Sequence, residues 1–199
     1  MTPVPNDKDY TMTRIGIIVG SVAEGSINKK VATVLPTLAD DQNVEFVHLD
    51  LTQLPIYNYE LDGNWPDVAN EWKQSIEDVD GLIIVTPEYS RSIPGALKNA
   101  LDWASRPWGQ NSFTGKPVAV MGVSIGATGT AMAQQHLRNI LAHFSSPTLG
   151  QPETFFHFNP AAFGQDGSLQ DDAQAAVLGG FVNAAVDHVE SHTRMNANV

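Results

Sequence analysis

Residues 14–28 read RIGIIVGSVAEGSIN: an apolar run that stops at Gly20-Ser21, then a short loop of small and hydroxyl-bearing residues that opens a helix. Buried parallel strands read as continuous apolar residues, and Ile15, Ile17, Ile18 and Val19 supply such a run. A helix that starts directly after the loop leaves its first N–H groups without intrahelical acceptors, at the positive end of its dipole. Ser21, Ser26 and Asn28 add side-chain donors beside them, so the expected occupant is an anion. The spacing matches neither G-x-x-x-x-G-K-[ST] nor G-x-G-x-x-G. That disfavours a nucleoside triphosphatase and a dinucleotide laid along a Rossmann crevice, and leaves a monophosphate held by hydroxyls and amides, as in a mononucleotide.

Outward from this stretch, strand-like and helix-like patterns alternate. Strands are expected at 14–20, 44–49, 81–86, 117–123 and 153–158, and helices at 27–38, 65–76, 93–105, 130–144 and 170–192. Five strands separated by helices imply an α/β fold with a parallel sheet covered on both faces and right-handed crossovers. Ligands of such sheets sit beyond the carboxyl ends of the strands, where the strand order reverses, so the loops after strands one, three and four carry the function.

At 199 residues and 42% hydrophobic content the chain fits one domain, expected over 13–193, with a loose leader at 1–12 and a tail at 194–199. No stretch is apolar for long enough to cross a bilayer, and the leader lacks the apolar segment of a secretory signal, so a soluble cytoplasmic protein is expected. With no cysteine there is no thiolate site, and redox chemistry needs a cofactor. A net charge of -11 argues against nucleic acid and anionic membranes as partners. An anionic ligand must therefore be held by local donors, each bond to a charged group contributing roughly 1.5–3 kcal/mol.

The loop after strand three, TPEYSRSIPG at 86–95, is bracketed by Pro87 and Pro94. Both fix a backbone angle and remove a donor, and Pro94 suits the first turn of a helix. A stiff segment at the sheet's edge then presents Glu88, Tyr89 and Ser90, as if to hold a flat ligand.

Three segments together resemble the NADPH-dependent FMN reductase family, the flavodoxin-like quinone, azo-dye and chromate reductases. They are GS-x4-S-x-N at 20–28, PEY-x2-SIPG-x-LKNA-x-DW-x-S at 87–105, and GKPVAVMGVSIGATGT at 115–130; QHLRNIL at 135–141 and PTLGQPE at 147–153 extend the likeness over nearly the whole chain. The resemblance implies a flavodoxin-like three-layer sandwich with strand order 2-1-3-4-5. It implies FMN as cofactor, NADPH or NADH as hydride donor, a small acceptor such as a quinone, flavin or azo compound, and a homodimer or homotetramer. Carried over residue by residue, Ser21, Ser26, Ile27 and Asn28 hold the phosphate. Pro87, Glu88, Tyr89 and Ser90 lie beside the flavin ring, and Ser124, Ile125, Gly126 and Gly129 flank its other edge. The flavin N5 carries the chemistry, so no general acid or base and no metal is assigned. Two positions depart from the family's pattern: Ala23 stands where arginine is frequent, and Ser90 where asparagine is common.

Two other readings use the same residues. Gly122-Val123-Ser124-Ile125-Gly126 is a literal G-x-S-x-G after a strand, as in a hydrolase elbow, with Asp166 or Asp171 and His188 or His192 in the right order for a triad. The alternative of a non-catalytic flavodoxin-type electron carrier shares the fold and FMN but lacks reaction with a nicotinamide. His136 and Arg138 are candidates for a subunit contact, Trp108 for the border of the site, and the long segment 51–65 for a lid or subunit contact.

Overall fold

The computed structural model describes residues 12–196; positions 1–11 of the expected leader and 197–199 of the expected tail lie outside the described residues. Five strands, β1 (Thr13–Val19), β2 (Val44–Leu49), β3 (Gly81–Thr86), β4 (Val118–Ser124) and β5 (Thr154–His157), form one sheet in the order β2-β1-β3-β4-β5. All four pairings are parallel, as the alternation of elements predicts. Every residue of β3 and all but the last of β4 are buried, which is why these strands read as unbroken apolar runs. From β1 the chain goes outward to β2, then returns across the sheet to β3. The loops after β1 and β3 therefore part company, at the position where sheets of this order take their ligands.

The helices are α1 (Ile27–Val34), α2 (Asp67–Glu77), α3 (Gly95–Ala104), α4 (Ala131–His143) and α5 (Asp172–Asn196). Their ends differ from the sequence expectation for identifiable reasons. Pro66 and Pro94 occupy the N-cap positions of α2 and α3, so both helices begin two residues later than the apolar periodicity predicts. Pro36 has no N–H to extend α1, which tightens into a 3-10 turn at Leu35–Leu38. At the other end of the chain, α5 runs on to Asn196, into the stretch read as a tail. No helix among the described residues is long and apolar enough to cross a membrane.

Alternate strand residues feed two separate apolar layers. Ile15, Ile17, Ile83, Val85 and Met121 pack with Val31 of α1 and Leu178, Phe181 and Val182 of α5. On the opposite face, Ile18, Leu82, Ile84 and Val120 pack with Trp72 of α2, Leu97 and Leu101 of α3, and Leu137 of α4. The segment 51–65 is fastened to α3: Asn99 Nδ2 and Trp103 Nε1 donate to Pro55 O at 2.9 and 2.8 Å, and Tyr57 N donates to Asn99 Oδ1 at 2.8 Å. Tyr57 and Trp65 add edge-on contacts to the Trp103 ring at 5.1 and 5.2 Å. On α2, Lys73 fastens the end of α3 and the loop after it, its Nζ donating to Ala104 O, Gln110 O and Ser112 Oγ at 3.1, 2.6 and 2.7 Å; burial holds this amine below the usual lysine range.

Gly122 sets how closely α4 approaches β4. A Cβ there would lie 1.8 Å from Thr130 Oγ1, 2.6 Å from Thr130 Cβ and 2.7 Å from Thr86 O. Thr130 is fully buried and the third contact is backbone, so the clash cannot be relieved by a side chain swinging away. Gly122→Ala is expected to destabilise the fold by about 2–3 kcal/mol, the range for overpacking a tight core. Thermal melts would read this as a fall of roughly 5–10 °C.

Candidate active site

Three loops meet at the carboxyl edge of the sheet: 20–26 after β1, 87–94 after β3 and 125–130 after β4. In the first, Ser21 and Ser26 are both buried. Ser26 caps α1, its Oγ accepting from Lys29 N at 3.2 Å and its carbonyl from Lys30 N at 3.1 Å. The two amides that precede these, of Ile27 and Asn28, open out of the helix end, and no acidic residue stands in the first turn. Buried hydroxyls, open amides and the positive end of a helix suit a monophosphate. Asn28 is expected from the sequence to offer its side chain to the anion. Its amide instead bridges to β4: Nδ2 donates to Val123 O and Oδ1 accepts from Val123 N, both at 3.2 Å. Only its backbone N–H is left at the helix end. Beside this loop a cleft of about 260 Å³ is lined by Ser21, Lys29, Thr33 and His48, whose imidazole burial keeps below its ordinary pKa.

The second loop is a two-residue hairpin. Tyr89 N donates to Ser92 O at 2.9 Å and Ser92 N to Tyr89 O at 3.0 Å, with Ser90 and Arg91 between them at φ +51° and +66°. Both angles lie in the left-handed region, which strains a residue with a Cβ by about 1–2 kcal/mol. Asparagine tolerates that region better than serine, which gives the departure at Ser90 a physical meaning. Glu88 does not face the crevice with its carboxylate: Oε2 accepts from Met132 N and Ala133 N at 3.0 and 3.1 Å, and Oε1 lies 3.6 Å from Arg91. It thereby supplies the cap that α4 lacks, because Thr130 Oγ1 accepts from Gln134 Nε2. Further along, Arg91 contacts Thr128 Oγ1 at 3.5 Å and Ser92 Oγ lies 3.0 Å from His136 Nδ1. The hairpin is thus bound to the start of α4 at three points.

In the third loop Ser124 Oγ accepts from Gly126 N at 2.9 Å, and Gly129 turns with φ +58° against Phe155. Val22, Tyr89 and Ile125, one on each loop, are exposed large apolar residues at the same edge. Such a rim suits a flat, largely apolar ring.

The hydrolase reading fails on geometry. His188 Nε2 lies 3.1 Å from Pro147 O, and that carbonyl also accepts from Val118 N at the start of β4. Ser124 is at the strand's other end, about 20 Å away at the ordinary rise per residue. His192 rests on His188 O at 2.8 Å, while Asp166 and Asp171 accept from Ser168 and from Gln174 N. His136 joins the hairpin and Arg138 NH1 donates to Leu149 O at 2.6 Å; Trp108 stands fully outward beside a groove of about 690 Å³ that also includes Tyr57, Arg106 and Phe144. Sequence reasoning missed Arg91 and Thr128, and missed the α4 amides as the partner of Glu88. The tip dipeptide Ser90-Arg91 carries no glycine to signal a left-handed turn.

A sequence profile of the NADPH-dependent FMN reductase family matches residues 13–160. A 2-hydroxy-1,4-benzoquinone reductase from Burkholderia sp is 44% identical over 171 residues, covering 85% of this chain and 92% of that protein. A quinone reductase from Pseudomonas putida is 35% identical over 188 residues, covering 93% and 97%. Among solved structures, the flavoenzyme NAD(P)H:(acceptor) oxidoreductase FerB from Paracoccus denitrificans superposes with a TM-score of 0.85 at 42% identity, covering 90% of this chain and 98% of its own. With the loop geometry, strand order and this likeness in agreement, the chain belongs to the NADPH-dependent FMN reductase family and is an FMN-dependent NAD(P)H oxidoreductase of flavodoxin-like fold.

Proposed function

We propose that the carboxyl-edge crevice holds FMN, with Ser21, Ser26 and the amides of Ile27 and Asn28 on its phosphate. Pro87, Glu88, Tyr89 and Ser90 line one side of the ring, Ser124, Ile125, Gly126 and Gly129 the other, and a small quinone takes the electrons. One contrast carries this assignment. The N-terminus of α1 is open, with two buried hydroxyls and no acid in its first turn, whereas that of α4 is closed by Glu88. When bound, FMN supplies the hydride chemistry, between NADPH or NADH and the acceptor.

The chain's own residues do positional work. Pro87 and the bonded hairpin hold Tyr89 at the rim, and Ser124 Oγ stiffens the opposite loop. Glu88 keeps its carboxylate on two amides and a guanidinium, so its task is to join the loops rather than to move protons. The apolar rim and the names of the quinone-reducing relatives support a quinone as acceptor. The same proposal includes a homodimer or homotetramer, supported by outward Trp108 in its groove, and a cytoplasmic location, where NAD(P)H is regenerated.

A purified sample tests the whole reading in one cuvette. Flavin absorption bands that bleach with anaerobic NADPH or NADH and return on adding quinone are expected; bands indifferent to both nucleotides would sink it. Ser26→Asp keeps a good helix cap but sets a carboxylate against the phosphate, so a folded, largely colourless protein is expected. Retention of stoichiometric FMN by that variant would refute the phosphate assignment. Glu88→Ala is expected to lower stability by about 1–2 kcal/mol through loss of the α4 cap, and to weaken FMN binding, measured by fluorescence titration.

A further inference from the structure

Glu24, Glu88 and Arg91 are the charged residues on the loops 20–26, 87–94 and 125–130, so Arg91 is their one cation; the next, Lys29 and Lys30, stand on α1. The side chain is 69% exposed, and both of its contacts, Glu88 Oε1 at 3.6 Å and Thr128 Oγ1 at 3.5 Å, run from NH1. The edge formed by Nε and NH2 is left for a ligand, and that edge is the one that grips a carboxylate or similar planar anion in two bonds. A backbone in the left-handed region at both Ser90 and Arg91 presents it, and such strain gathers at functional positions. Tyr89, on the same hairpin, exposes 52% of its surface. A flat ring laid against this loop brings its substituents within reach of the guanidinium.

We propose that Arg91 selects the electron acceptor, favouring flat rings that carry an ionised oxygen, such as an ionised hydroxyquinone or a quinone carboxylate. This rests on the reading of the crevice as a flavin and quinone site. A 2-hydroxyquinone is a vinylogous acid, ionised at neutral pH, and its anionic oxygen stands beside a quinone carbonyl oxygen, an adjacent pair that a guanidinium fork can meet. A chain of net charge -11 repels such molecules at long range, so a cation at the point of contact is what admits them.

The test compares flavin-loaded wild type with Arg91→Gln and Arg91→Lys, using 2-hydroxy-1,4-naphthoquinone and 1,4-naphthoquinone as acceptors. Because each variant is compared with wild type on the same pair, the intrinsic reactivity of the two quinones cancels. The ratio of kcat/KM for the anionic over the neutral quinone is expected to fall about fivefold to twentyfold in Arg91→Gln, and to recover in part in Arg91→Lys. High salt should compress the wild-type ratio and leave that of Arg91→Gln nearly flat. Calorimetric binding of 1-naphthoate against 1-naphthamide reads the same contact without turnover, and naphthoate alone should weaken in Arg91→Gln. An unchanged ratio together with unchanged naphthoate binding overturns the proposal. So does a loss confined to NADPH relative to NADH, which would give the residue to the nucleotide. Arg91-dependent naphthoate binding in a protein that reduces no quinone would uphold the anion site and overturn the quinone reading instead.

Discussion

The carboxylate of Glu88 joins two loops that neighbouring parallel strands would otherwise deliver independently. From the end of β3 it reaches the first turn of α4 and takes two of that helix's unpaired amides, while its second oxygen steadies Arg91. Its side chain is only 10% exposed, so these bonds form where water competes poorly. Two consequences run outward. The hairpin that carries Tyr89 is held against the loop after β4, and the positive end of α4 is neutralised from within the chain. Of the α1 and α4 termini, that of α1 alone is then left for a phosphate.

Asn28 ties α1 to the sheet while leaving the amides of its first turn open. Buried in its helix, it pairs both ends of its amide with the backbone of Val123, two strands away in sheet order. Gly122, next to it in β4, lets Thr130 settle on the strand at the other face. One short stretch of β4 thus receives α1 on one side and α4 on the other. The three loops inherit their spacing from that packing, and the proposed phosphate site therefore draws on backbone amides and hydroxyls rather than on a cluster of basic residues.

Much of this was legible in the sequence because burial on both faces leaves little choice of residue. The strands β2 and β3 fall where their apolar runs fall, and the loops that matter follow from topology alone. Helix starts were less legible, since Pro66 and Pro94 end the preceding extended segment and displace the first helical residue. The role of Asn28 was not legible at all: an amide suits a phosphate and a strand backbone equally, and only the fold brings Val123 within reach. For Ser124 the literal G-x-S-x-G was legible, but α4 begins only at Ala131 rather than straight after the serine, and a triad depends on histidines that α5 carries to the opposite end of the sheet. Whether Glu88 faced the ring or the next helix likewise hung on contacts between segments far apart in sequence.

The hairpin tip at Ser90 and Arg91 bears on how this protein could be re-engineered. A design procedure that scores backbone compatibility would replace that pair with Asn-Gly, the natural choice for two successive left-handed residues. The replacement would relax the turn, and the gain would register as higher thermal stability. It would also strip the catalytic edge of its positive charge. On the proposed role of Arg91, a stabilised variant that looks improved in a melting experiment would have narrowed the range of molecules it can reduce.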